Sequence, residues 1–335
     1  MKIDRCDLDK EVMVVAEIGN NHEGSFARAE EMICRAADAG ADAVKFQTII
    51  PERLVSSEQH ERIAQLRRFS LSYRQFEALK AKADKERVLF LSTPFDLESV
   101  RFLNELVPAF KIASGDIDFF PLLETVAQTG KPVILSTGCS TLAEVREAHA
   151  RITQVWRSMG IDQEIALLHS VAGYPTPLHQ ANLKCIATLH QLGVTVGYSD
   201  HTIGTDAAVA AVALGARIVE KHFTLTKQLS SFRDHALSAD PEEFTAMVRR
   251  IRDVTVMLGD GIKQPQPCEL SQQTFMRRSI AAAYSLQKGQ PITLHDLTWV
   301  RPQRGLKAGQ EHLVVGKKLI RDVDAGTVLV PELIG

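Results

Sequence analysis

Eight short runs rich in β-branched and apolar residues recur along the first two thirds of the chain, and longer segments of helical period separate them. The runs are VMVVAE (12–17), DAVKFQ (42–47), RVLFLST (87–93), AFKIAS (109–114), PVILST (132–137), IALLHS (165–170), TVGYS (195–199) and RIVEKHF (217–223). Strands that alternate with helix-length connections must pair in parallel, because a crossover of that length brings the chain back to start again from the same edge. Eight such units predict an α/β fold, a closed TIM-type (β/α)8 barrel rather than an open sheet. The intervening segments agree: in SFARAEEMICRAADAG, Ala29, Ile33, Ala36 and Ala37 share one helical face and Gly40 supplies a stop.

The barrel is expected over residues 1–262. The proline- and glutamine-rich stretch that begins KQPQPCELSQQ reads as a linker over 263–276. Beyond it, 277–335 changes texture: short β-like runs (SIAAAYSL, HLVVGKKLI, TVLV) are broken by KGQPIT, RPQRG and DAG turns, predicting a small β-rich domain of a size that is marginal alone.

Composition narrows the function classes. A formal net charge of −2 argues against non-specific binding to nucleic acid or to an anionic membrane. The five cysteines are odd in number and scattered without a CxxC pair, which fits neither a disulfide framework nor a zinc knuckle and suits a reducing cytoplasm. The opening MKIDRCDLDKEVMVV carries charges where a signal peptide needs an apolar core, so a cytoplasmic location is expected.

In a barrel of this type the chemistry lies where the strands end and the βα loops converge. The predicted strand ends are polar: Glu17 with Asn20, Asn21 and His22; Lys45 with Gln47; Ser92 and Thr93; Lys111 and Ser114; Ser136 and Thr137; His169 and Ser170; Ser199 and His201; Glu220 and His222. Strand ends lead into loops, and that alone accounts for serines and threonines. It does not account for Lys45, Lys111 and Lys221, since an inward lysine needs an anionic partner.

Three constellations emerge. His201 in GYSDHT and His222 in EKHFT end neighbouring strands, with Glu17, Asp234 and His235 available; a lone histidine is usually structural, but this pair suits a divalent ion that keeps open positions. Nitrogen and oxygen ligands without thiolate admit Mn²⁺, Mg²⁺, Co²⁺ or Zn²⁺. Lys45, Lys111, Ser92, Thr93, Ser114, Ser136 and Ser199 together would equip one cavity for a phosphate and a carboxylate. EIGNNHEG (17–24) offers a tight loop with acid/base groups, while Gly115 and Gly138 permit close backbone approach to a ligand.

The ordered motifs EIGNNHEG, VKFQT (44–48), LSTPFD (91–96), KIASGD (111–116), ILSTG (134–138), YPTP (174–177), GYSDHT and EKHFT resemble those of the sialic acid synthase family. These nonulosonate synthases condense phosphoenolpyruvate with an N-acylated hexosamine aldehyde. The resemblance covers nearly the whole chain and implies a TIM barrel followed by an antifreeze-like (SAF, β-clip) domain. It implies that His201 and His222 hold a divalent metal, manganese first with magnesium or cobalt behind it. Lys45, Thr93, Lys111, Ser114, Ser136 and Ser199 would bind phosphoenolpyruvate. Glu17 and Asp234 would join the histidines in catalysis, and Gln47, Tyr174 and Glu220 would contact the sugar. Arg301, in the RPQRG turn (301–305) beside the extra charge of Arg304, would reach the sugar's N-acyl group across a domain-swapped homodimer. Nucleic-acid and membrane partners are not implied.

Two stretches depart from the family pattern. SVAG (170–173) precedes YPTP where a polar residue is usual, and SSFRDHALS follows EKHFT where a PGPDH-like form is common. Both fall where the sugar's distal end is expected, so N-acetylmannosamine and a 6-deoxy diacetamido hexose of the legionaminate or pseudaminate type stay open as acceptors. Two other readings are another phosphoenolpyruvate-dependent 3-deoxy-sugar-phosphate synthase, which needs extra basic residues for its acceptor's phosphate, and a non-catalytic carbohydrate- or ice-binding protein.

Overall fold

The computed structural model describes residues 1–335, which fall into two compact units, Met1–Gly259 and Asp260–Gly335. A short antiparallel hairpin, β1 (Lys2–Ile3) and β2 (Cys6–Asp7), comes first. The eight expected strands follow: β3 (Met13–Gly19), β4 (Ala43–Thr48), β5 (Leu89–Pro94), β6 (Phe110–Ile112), β7 (Val133–Ser136), β8 (Ile165–Ser170), β9 (Thr195–Asp200) and β10 (Ile218–His222). They form one parallel sheet in the order β5-β4-β3-β10-β9-β8-β7-β6, and β5 and β6 at its two ends lie against each other, so the barrel is nearly closed.

The two-residue period of a strand explains how this barrel has an apolar floor and a polar mouth. On β3, Val14, Ala16 and Ile18 face outward into the layer of helices, while Met13 and Val15 face inward and Glu17 follows them toward the mouth. The same inward succession runs Ala43, Lys45, Gln47 on β4; Leu89, Leu91, Thr93 on β5; Ile134, Ser136 on β7; and Ile218, Glu220, His222 on β10. The floor is sealed by the hairpin, whose Ile3 and Cys6 join Met1 and Leu8 in the inner apolar cluster. Its role was not foreseen from sequence, where it is two residues per strand. Gly197 on β9 is required by packing: a Cβ there would stand 2.3 Å from Leu168 Cδ2 and 2.5 Å from the Ile218 carbonyl.

The outer helices are capped and amphipathic. Phe26–Asp38 starts at Ser25, whose side chain accepts from the Arg28 N–H, and buries Ala29, Met32, Ile33 and Ala36; Gly40 beyond it has φ +88°. Ala37 is only partly buried, at the edge of the stripe. Pro241–Leu258 begins with an Asp240–Glu243 capping box and buries Phe244, Met247, Val248 and Ile251. No helix is long and apolar enough to cross a membrane.

The second unit begins earlier than expected, at Asp260, and the stretch read as linker contains a helix, Pro267–Met276. Proline at its first turn and a Gln266–Glu269 box start this helix, and no residue of it is buried, which is why its composition looked like linker. The rest is a small β-rich fold. β11 (Ser279–Ala282) pairs antiparallel with β12 (Leu297–Val300) over a core that includes Ile280, Leu286, Ile292, Leu297, Val314, Leu319, Leu329 and Leu333. Gly305 lets two segments meet, since a Cβ there would be 2.4 Å from the Leu329 carbonyl.

Candidate active site

The inward residues at the mouth enclose a cavity of about 200 Å³. Glu17, Lys45, Gln47, Thr93, Lys111, Ser114, Ser136, Tyr174, Ser199, His201, Glu220 and His222 all line it, so twelve of the site residues expected from sequence meet in one place. Gly115, Phe95, Ala113 and Ala172 complete the wall.

At one side Lys45 Nζ lies 2.6 Å from Glu17 Oε2 and 3.8 Å from Glu220, and donates to Thr93 Oγ1 at 3.1 Å. Burial alone would push its pKa down, but the two carboxylates outweigh it, so Lys45 stays charged. Glu17 is pushed up to about 7, because burial and the charge of Glu220 work against Lys45. Gln47 holds Glu17 by donating to Oε1 at 3.0 Å, and is itself held by Asn20 at 2.9 Å. Glu220 accepts from Ser199 Oγ at 3.0 Å; burial raises it, yet the charges of Lys111 and Lys45 prevail and keep it below its ordinary value.

Across the cavity Lys111 donates to Ser136 Oγ at 2.7 Å and to the Ile112 carbonyl at 2.9 Å. It has no carboxylate at contact distance, and burial pulls it down to about 8. Beside it Ser114 Oγ accepts the Gly138 N–H at 2.9 Å; a Cβ on Gly138 would stand 2.9 Å from that oxygen. Lysines, hydroxyls and a loop amide thus converge on one space, which is the equipment for an anion.

His201, the first residue after β9, and His222, the last residue of β10, have ring centroids 5.5 Å apart, and Tyr174 packs at 4.2 Å on His201 and 6.1 Å from His222. His201 Nδ1–H donates to the Val171 carbonyl at 2.8 Å, which leaves Nε2 with its lone pair free. His222 Nδ1 is buried with no partner. Burial holds both rings below their ordinary pKa, so both are neutral imidazoles at neutral pH, the form that ligates a metal. The donor set fits a divalent ion held by two nitrogens; no third His, Cys, Asp or Glu groups with them.

Alternation also removes residues from the site. Ser92 points outward between Leu91 and Thr93 and shares a hydrogen bond of 2.8 Å with Thr48 Oγ1. Lys221 likewise points outward, where it pairs with Asp200 at 3.0 Å and donates to the Thr202 carbonyl at 2.5 Å. Its anionic partner is therefore structural, not a ligand. His235 is spent on Thr224 Oγ1 at 2.8 Å and Glu23 Oε1 at 3.0 Å, Asn21 on the Phe223 carbonyl at 2.8 Å, and His22 Nδ1 on the Gly24 N–H at 3.1 Å. Asp234 stands beside the cavity without lining it; burial raises its carboxyl although Arg233 contacts it at 3.2 Å. Arg301 is an exposed residue of the second unit.

Sequence reasoning missed Asp200, which accepts from Lys221, the Tyr198 hydroxyl at 3.3 Å and the Thr202 N–H at 2.8 Å, and so holds the backbone on both sides of His201. Counting positions along β9 and β10 would have found it, because Asp200 and Lys221 sit opposite each other in register.

Comparison with known proteins agrees with this geometry. Residues 32–263 match the NeuB family and residues 277–334 match the SAF domain. The N,N'-diacetyllegionaminic acid synthase of Campylobacter jejuni is 38% identical over 92% of this chain and 96% of its own. The N-acetylneuraminate-9-phosphate synthase of Homo sapiens is 31% identical over 95% of this chain and 91% of its own. Among solved structures, the N-acetylneuraminic acid (sialic acid) synthetase of Leptospira borgpetersenii superposes with a TM-score of 0.74 at 36% identity, covering 78% of this chain and 90% of that one. With a barrel and a terminal domain that both match, and an anion pocket set beside paired imidazoles, the chain belongs to the NeuB family.

Proposed function

We propose that the barrel is a nonulosonate synthase, joining C3 of phosphoenolpyruvate to the aldehyde carbon of an N-acylated mannosamine-like sugar, with uptake of one water and release of phosphate. The observation that carries this is the shared cavity: two buried lysines with serine and threonine hydroxyls face the same space as two neutral histidines. The curated relatives named above are synthases of this product class.

Lys111 with Ser136 and Ser114 forms one anion cradle, and Lys45 with Thr93 forms the other. Together they take the phosphate and carboxylate of phosphoenolpyruvate and fix its C3 toward the histidines. A divalent ion, manganese by preference, would be held by His201 Nε2 and His222 and when bound supplies polarisation of the aldehyde oxygen. As C3 bonds to the aldehyde carbon, positive charge grows at C2, and the carboxylate of Glu220 at the cavity wall favours it. Glu17, poised near neutrality, accepts the proton of the water that attacks C2, after which phosphate departs. Tyr174 and Gln47 bound the sugar's side of the cavity. In a domain-swapped homodimer, Arg301 of the partner subunit would complete the site at the N-acyl group.

The test is phosphate release from phosphoenolpyruvate with Mn²⁺ and a panel of N-acylated hexosamines. Turnover with at least one sugar is expected, and silence across a broad panel with folded protein would sink the reading.

A further inference from the structure

Strand alternation places Glu17 inward on β3 and Ile18 outward, and carried two residues further it would turn Asn20 outward as well. The backbone breaks that count. Between Glu17 and Gly19 the pairing of β3 with β4 slips: Glu17 stands opposite Lys45 and Gly19 opposite Phe46, so one extra residue is taken up. Gly19 then turns with φ +52°, and the Asn21 N–H closes the turn on the Ile18 carbonyl at 2.9 Å. A bulge of this kind re-aims the side chain that follows it. Here that side chain is Asn20, whose Nδ2 donates to Gln47 Oε1 at 2.9 Å. The space is fitted to glycine on a second count, since a Cβ on Gly19 would stand 2.9 Å from Glu17 Oε1 and 3.2 Å from Gln47 Nε2.

Glu17 decides which way the amide between them points. Its Oε2 takes the ammonium of Lys45 at 2.6 Å, and the same ammonium faces Glu220 at 3.8 Å. An ionised carboxylate can only accept. Gln47 must therefore turn its NH₂ to Glu17 Oε1, at 3.0 Å, and its carbonyl the other way, where a donor is needed. Asn20 is that donor. With the amide reversed, the Gln47 carbonyl would face a carboxylate oxygen, two acceptors with no proton between them. Asn20 itself does not line the catalytic cavity, so whatever it does there it does through Gln47.

We propose that Asn20 is a positioning residue: it locks the direction of the Gln47 amide, so that Gln47 serves Glu17 as a hydrogen-bond donor and holds the carboxylate toward the cavity. The inference rests on the synthase reading above, in which Glu17 takes the proton of the attacking water. It also narrows what Gln47 can do for the acceptor sugar. With its carbonyl turned to Asn20, the group it presents beside Glu17 is an N–H.

The experiment compares Asn20→Leu, which removes the donor, with Asn20→Asp, which keeps the shape and replaces the donor by an acceptor, each alone and with Gln47→Leu. Steady-state kinetics use phosphoenolpyruvate, Mn²⁺ and the best acceptor of wild type. Asn20→Leu should lower kcat by roughly three- to tenfold, the scale of one hydrogen bond, and leave the KM for phosphoenolpyruvate within about twofold. Asn20→Asp should lose several-fold more, because its carboxylate draws the Gln47 NH₂ away from Glu17. A role in shape alone gives the opposite order, with Asp milder than Leu, and that order overturns the proposal. In the Gln47→Leu background neither change should lower kcat further; full, additive losses there would show that Asn20 does not act through Gln47. Nitrogen-15 spectra of glutamine-labelled protein read the amide without turnover, the Gln47 NH₂ pair being the one missing from Gln47→Leu. Asn20→Leu should shift that pair and speed its exchange with solvent several-fold, and an unchanged pair overturns the proposal. If no sugar reacts with wild type but the amide signals respond, the synthase reading fails and the hold of Asn20 on Gln47 stands.

Discussion

Lys221 and Asp200 form an ion pair of 3.0 Å with side chains 1% and 0% exposed, directly behind the two histidines they adjoin in sequence. Asp200 also takes the Thr202 N–H, and Lys221 the Thr202 carbonyl, so the pair fixes the chain that presents His201. Lys221→Met should therefore do more than remove a charge. It leaves a buried carboxylate without its cation, a change that costs about 3–5 kcal/mol. Urea unfolding is expected to show that loss, and Lys221→Met/Asp200→Asn should recover part of it. A single variant as stable as wild type would show that the pair holds nothing.

Lys111 presents the opposite case. Its ammonium is buried with hydroxyl and carbonyl partners but no contacting carboxylate, and burial brings its pKa down to about 8 from 10.5. A folded pKa below the unfolded one means that the charged lysine costs stability at all pH below about 8, and that this cost fades as pH rises toward 10.5. Lys111→Met should then stabilise the barrel at pH 7 by on the order of 1–3 kcal/mol, with the gain shrinking above pH 8. The same variant should lose binding of phosphoenolpyruvate by a factor of about a hundred or more. In wild type, kcat/KM for phosphoenolpyruvate should fall as pH rises past about 8, because the free protein then loses the charge that receives the anion. Denaturation and steady-state kinetics over pH 6–10 check both halves.

Much of this was legible from residues alone. The strand runs 12–17 and 217–223 announced β3 and β10, and their terminal Glu17 and His222 announced the mouth. What the sequence concealed was side. Ser92 and Thr93 are neighbours, as are Lys221 and His222, and nothing in their types says which faces inward. That is decided by the alternation counted from the apolar floor, at Leu89 and Leu91 on β5 and Ile218 on β10. Long-range pairing was hidden too. His235 reads as a ligand until Glu23, 212 positions away, is found against it, and the exposed helix Pro267–Met276 carries no apolar stripe to announce it.

Glu17 is the group whose proton is most evenly shared near neutrality, at about 7. Its pKa is raised above the ordinary carboxyl value, so it is protonated below pH 7 and becomes a base above it. Turnover should rise through pH 7 on the acidic side of the profile. Glu17→Gln should remove that limb and lower kcat by roughly 10²–10⁴-fold, since the amide cannot accept a proton. It should leave the KM for phosphoenolpyruvate within a few-fold, because Lys45 keeps Glu220 at 3.8 Å and stays charged. An acidic limb that persists in the variant would assign the proton to another group.

His222 provides the last test, one that separates metal binding from folding. Its ring is neutral and buried, and its Nδ1 has no partner, so removing it breaks no hydrogen bond. Its apolar contacts are the ordinary loss, and His222→Ala is expected to cost about 1–3 kcal/mol with the far-ultraviolet circular dichroism unchanged. Manganese affinity, read from the electron paramagnetic resonance of free Mn²⁺, should fall by a factor of ten or more in the variant, on the order of one lost imidazole ligand. Turnover should vanish with it, and wild type stripped with excess chelator should behave the same way until Mn²⁺ is returned. Full manganese affinity in His222→Ala would move the metal away from the paired imidazoles and leave His201 and His222 as the walls of an acceptor pocket.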